Sequence, residues 1–180
     1  MMTATSGLRR SLSFSLVGLV IVMGGCKSLP MSEMPDYGLD RISISVDHEH
    51  LARLNSTVWQ KLPVPAKVDF QGQELSANVS YAGKSTIDAP KKSLDIDLND
   101  ARIFGLESLR LSSQFVDRTM LRSTLGFYIY EQARIPTPEI RYVSVYLNRE
   151  YLGLYLLIEP VDEAMLTKRG LMIQSLYKAI

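Results

Sequence analysis

Cysteine is almost missing from this chain: Cys26 stands alone among 180 residues, which excludes an internal disulfide. Histidine is scarce too. His48 and His50, in "DHEH", are the only two, and at a spacing of two on an expected helix start they project in different directions. They read as a solvated first turn rather than a metal pair, and a Ser-His-Asp arrangement cannot be specified from them. Charge of one sign is lacking as well. Twenty Lys and Arg against nineteen Asp and Glu leave a net charge of +1, with no electrostatic basis for holding nucleic acid. No internal repeat or low-complexity tract is present. With 46% apolar residues the chain can bury a core.

Where the single cysteine stands is informative. Residues 1–25 run from Arg9 and Arg10 through "LSFSLVGLVIVM" to a small-residue end, the order of a secretory signal, and "MGGC" resembles a bacterial lipobox. Cys26 is therefore expected to be the lipidated N-terminus of the mature chain, anchored in a bacterial cell envelope, in the outer membrane if there is one. Residues 26–40, with "KSLPMSEMPDYG", read as a linker, and 41–180 as one domain.

In that domain, alternation predicts strands at "RISISV", "AKVDF", "LSANVSY", "KKSLDIDL", "SLRLSS" and "RYVSVYL", followed by "YLNREYLGLYLLIEPVD" as a hairpin. Asp47 is placed to cap a short helix, and another is expected from Asp162. Asp117 is placed to cap a longer helix running to about Arg134, before Pro136, with Leu121, Leu125, Tyr128 and Ile129 as a core-facing stripe. "SLYKAI" reads as an incipient strand whose open edge favours self-association. The expected class is α+β: a mostly antiparallel sheet with one long packed helix.

The chemistry-bearing candidates sit on these strands. "GKS" at Gly83–Ser85 is not a phosphate-binding loop, because Asn78 stands where that loop needs its first glycine. In "PKKSLDIDL", strict alternation puts Lys92 on the apolar side with Leu94, Ile96 and Leu98. It either snorkels to the rim or offers its ammonium to an anion. Asp95 and Asp97 read as a charged outer face. In the last hairpin, Gly153 and Glu159 share a face: the glycine marks either a bulge or a close approach, and the glutamate either leaves into solvent or meets a cation such as Lys92 or a ligand edge.

The ordered segments "YAGKSTIDAPKKSL", "FGLESLRLSS", "DRTMLR", "YLNREYLGLYLLIEPVD" and "SLYKA" resemble the spore coat protein H (CotH) kinase family across residues 42–180. The resemblance implies the N-lobe of an atypical protein-kinase-like fold, with ATP and Mg²⁺ as cofactors and phosphoryl transfer to serine or threonine of a protein substrate. It makes Lys91 and Lys92 candidate phosphate contacts, Glu159 a candidate partner or hinge residue at the nucleotide, and Arg122 a structural residue of the helix. Two departures from the family pattern are local: Ala82 replaces an arginine, and Arg149 occupies a turn position that favours glycine, so that either the loop is wider than two residues or it carries strain. A third is larger, because the family's metal-holding aspartates lie in a C-lobe that the 180 residues do not show. Two readings follow: a truncated, catalytically incompetent kinase, or a non-catalytic lipoprotein that binds a partner through the remaining sheet face.

Overall fold

A computed structural model describes residues 37–172 and 174–177. The signal segment, Cys26 and most of the linker lie outside the described residues, as does the end of "SLYKAI". Among the described residues no helix is long and apolar enough to cross a membrane.

Seven strands form: β1 (Arg41–Ser45), β2 (Val64–Phe70), β3 (Gln73–Ala82), β4 (Ser93–Leu98), β5 (Ser108–Ser112), β6 (Ile140–Leu147) and β7 (Glu150–Ile158). Among the described residues three α-helices accompany them, α1 (His48–Ser56), α2 (Arg122–Gln132) and α3 (Glu163–Lys168), with a short 3-10 helix at Val58–Gln60. The alternating segments are strands as expected. Their inward residues, among them Ile42, Ile44, Val68, Val79, Leu94, Ile96, Leu111, Val143, Val145 and Leu157, form one buried cluster.

The class differs from the α+β sheet with a long packed helix expected above. The strands close into a barrel in the order β1-β2-β3-β4-β5-β7-β6. Closure comes from β1 lying parallel to β6, with Ile42 beside Val145 and Ile44 beside Leu147, while every other pairing is antiparallel. Alternation reports which face of a strand is buried, and a flat sheet and a closed one share that pattern. Asn148 holds the seam: its carboxamide accepts from the Val46 amide at 2.8 Å and donates to the Val46 carbonyl at 2.9 Å. A closed barrel also removes the open edge foreseen at "SLYKAI", and no strand forms at residues 174–177.

The expected long helix is the second correction. Asp117 does start it, but across a turn. Its carboxylate accepts from the Thr119 hydroxyl at 2.7 Å, the Thr119 amide at 3.1 Å and the Arg122 amide at 2.8 Å, so α2 begins at Arg122. The helix spans only eleven residues and none of its side chains is buried. Leu125 is 56% exposed and Ile129 63%, so the predicted core stripe faces outward. Polar groups tether the helix instead: Tyr142 donates to the Met120 carbonyl and bonds the Thr124 hydroxyl, and Ser123 donates to Gln114. A cavity of about 640 Å³ separates the rest of α2 from the start of β6.

Candidate functional site

The hairpin turn works as a two-residue loop. Leu147 pairs with Glu150, which leaves Asn148 and Arg149 at φ 48° and 71°, the double positive φ of a type I′ turn. Asparagine tolerates this region, and Arg149 carries the strain that its departure from glycine implies. Further along β7, Gly153 sits at φ +107°, beside a register shift between Val145 and Tyr146 on β6. Of the two alternatives the bulge is the one present; the Lys91 ammonium is a neighbour at ordinary contact distance, since a Cβ on Gly153 would lie 3.6 Å from its Nζ.

Lys91 reaches that point because β5 is short. Its last residue, Ser112, pairs with Leu156, so β5 does not extend to Leu154. The Lys91 ammonium donates to the Leu154 carbonyl and lies 4.3 Å from the Tyr155 ring centroid. Burial pushes its pKa below the usual lysine value. Lys92 folds back onto its own loop, donating to the Ile87 carbonyl at 2.8 Å and the Ala89 carbonyl at 3.4 Å, with Nζ 5.6 Å from the Tyr81 ring. It therefore neither trails out to the rim nor stands unused; backbone oxygens hold it. Both lysines precede β4, which starts at Ser93, so strand parity does not govern them and both line one cavity of about 500 Å³.

Tyrosines make much of the wall. Tyr81, Tyr151, Tyr155 and Leu152 line this cavity, with Glu150 as its acidic residue. Tyr155 donates to the Lys92 carbonyl at 2.9 Å, and Tyr81 donates to Asn55 at 2.7 Å. Burial raises the pKa of both phenols, and for Tyr155 the neighbouring Tyr81 adds to it, so both are neutral hydrogen-bond donors at physiological pH. Among the described residues neither lysine has a carboxylate within salt-bridge distance.

Glu159 is elsewhere. Five strand residues past Leu154, roughly 16 Å away, its buried carboxylate accepts from Arg169 at 2.6 Å and from the Glu139 amide at 2.9 Å, with Lys168 at 3.9 Å. Burial alone would raise its pKa, but Arg169, the Glu139 amide and Lys168 outweigh it, and the net shift is downward. The structure thus brings Lys91, Lys92 and Gly153 together and leaves Glu159 out. Glu159 instead locks α3, whose cap is Asp162 accepting from the Met165 amide, to the barrel end. Arg169 and Lys168 went unnoticed in the sequence, although a basic pair ten residues after a buried acid is a signal of its own. Arg122 is the first residue of α2, held there by its amide. Asp95 makes a two-point pair with Arg110 at 2.8 Å, and no cluster of three or more His, Cys, Asp or Glu suited to a metal occurs among the described residues.

The chain is similar in sequence to known proteins. The family model described as CotH kinase protein matches residues 79–179, which take in the two-lysine cavity, the last hairpin and α3. The inner spore coat protein H of Bacillus subtilis (strain 168) is 27% identical over 136 residues, covering 75% of this chain. The chain spans 38% of that relative's length. With the family model covering more than half of its residues, this chain belongs to the CotH kinase protein family.

Proposed function

We propose that this barrel is the nucleotide-holding part of a CotH-type protein kinase, which transfers phosphate from ATP to serine or threonine of a protein. One observation carries the reading: two half-buried ammonium groups, with no carboxylate partner among the described residues, line one tyrosine-walled cavity of a volume typical for small-molecule sites. Lys91 keeps N–H donors beyond the one it gives to Leu154, and a phosphate oxygen is the acceptor that best relieves a desolvated cation. Lys92 shapes the loop and adds positive field.

Phosphoryl transfer also needs carboxylates that hold Mg²⁺ and orient the nucleophile. Among the described residues no group of three or more such acids occurs, and the share of the reaction proposed for this barrel is holding the nucleotide. The relative's name places that protein in the inner spore coat, which is consistent with an extracellular or envelope position for this chain; the lipid on Cys26 rests on the lipobox-like "MGGC" alone. The outward apolar side chains of α2 favour a second reading, a non-catalytic lipoprotein that binds a protein partner.

Titration of the purified chain with ATP, followed calorimetrically, tests the first reading. Binding is expected, and Lys91→Met weakens it roughly tenfold or more, the loss of a charge-assisted hydrogen bond. Equal affinity of both proteins, with both folded by circular dichroism, would falsify the assignment. Phosphate transfer to a serine-rich peptide by this chain alone would contradict the division of labour.

A further inference from the structure

At the mouth of the two-lysine cavity stands a stack of tyrosines. Tyr151 lines the cavity, and one of its neighbours is Tyr146, buried, at 5.0 Å and tilted by 41°. The other is Tyr37, stacked at 5.1 Å with planes only 23° apart. This second contact is of a different kind. Tyr37 comes from outside the barrel, four residues before β1, and is 51% exposed, while Tyr151 is 40% exposed. Gly38, at φ +67°, follows Tyr37 directly. The Tyr37 ring shows that a flat aromatic group fits on Tyr151 in near-parallel contact. Two residues along β7, roughly 7 Å, Gly153 lies against the Lys91 ammonium. The residue that carries the stacking face and the one that lies against the cation thus line one cavity two strand positions apart, a spacing on the scale of a nucleoside between its base and its first phosphate.

We propose that Tyr151 is the stacking seat for the base of a nucleoside triphosphate, and that Tyr37 occupies this seat until the base displaces it. The proposal rests on the nucleotide reading above and adds a residue that selects nucleotide over bare polyphosphate. Stacking on an aromatic side chain tolerates any base, so the seat distinguishes nucleotides from polyphosphates rather than adenine from guanine.

The test compares ATP with inorganic tripolyphosphate, each with Mg²⁺, by calorimetric titration of the full chain and of Tyr37→Ala and Tyr151→Leu. ATP should bind more tightly than tripolyphosphate. Tyr151→Leu should weaken ATP about tenfold and leave tripolyphosphate unchanged; Tyr37→Ala should strengthen ATP and again leave tripolyphosphate unchanged. Should Tyr151→Leu fail to fold, the exposed Tyr37 still decides the matter. ATP and tripolyphosphate binding equally, with Tyr37→Ala without effect, would overturn the stacking seat while sparing the phosphate contacts. Binding of neither would overturn both.

Discussion

Gly153 lies against Lys91 without being needed to make room for it: a Cβ on the glycine would meet the lysine Nζ at 3.6 Å and Cε at 3.7 Å, ordinary contact distances, while the backbone stands at φ +107°. Backbone conformation, and not collision, is what demands glycine here. Gly153→Ala should therefore destabilise the barrel by about 1–2 kcal/mol, read as a lower urea midpoint with an unchanged slope.

The outward face of α2 makes a sharp contrast with the core. Leu125→Ala and Ile129→Ala should each cost no more than about 0.5 kcal/mol, as exposed positions do. Ile96→Ala, inside the barrel, should cost about 2–5 kcal/mol. Chemical denaturation of the three variants separates this arrangement from a core-packed α2, in which all three losses would be alike.

Acid should loosen α3. Burial raises the Glu159 pKa, but Arg169, the Glu139 amide and Lys168 bring the net value below the usual 4.5. A carboxylate depressed by folding contributes stability in full above its unfolded pKa and loses it as pH falls through the folded value. Asp117, lowered by the Thr119 hydroxyl and the Arg122 amide, acts with the same sign. Stability should fall as pH drops from about 5 to 3, and Glu159→Gln should flatten that slope. Arg169→Ala, which strands a buried carboxylate, should cost about 3 kcal/mol near neutral pH.

The I′ turn offers a gain. Arg149 holds φ 71°, a conformation glycine adopts without steric cost, so Arg149→Gly should raise stability by up to about 1 kcal/mol. Asn148→Ala should do the reverse. It removes both hydrogen bonds to Val46 at the parallel seam, a loss of about 2 kcal/mol visible as a lower Tm.

Much of the local structure was legible in the residues. Alternation found the strands, because inward positions such as Leu94, Ile96 and Leu98 must be apolar whether the sheet is flat or closed. Asp117 and Asp162 marked helix starts, since short carboxylate side chains satisfy amides a helix leaves open. Gly153 announced itself as a strand residue without a side chain. The site was only half legible. Parity placed Lys92 alone on the apolar side, whereas the turn before Ser93 brings Lys91 to the same cavity.

The sequence by itself determined the strands and the Asp162 cap of α3, because alternation and a short capping carboxylate are local signals; it left open whether the hairpin loop was wider than two residues, and Asp47, at the N-cap of α1, makes no side-chain capping bond. Tertiary structure alone decided three things. The sheet closes through β1 and β6, with Val46 and Asn148 meeting across 102 positions of chain. The apolar stripe of α2 faces outward, because helical periodicity is the same for a core face and an open one. Glu159 turns to Arg169 and Lys168 rather than to Lys92, because it lies past the end of β7, about 16 Å along the strand from the Leu154 carbonyl that holds Lys91, and a buried charge takes the partner that geometry brings within reach.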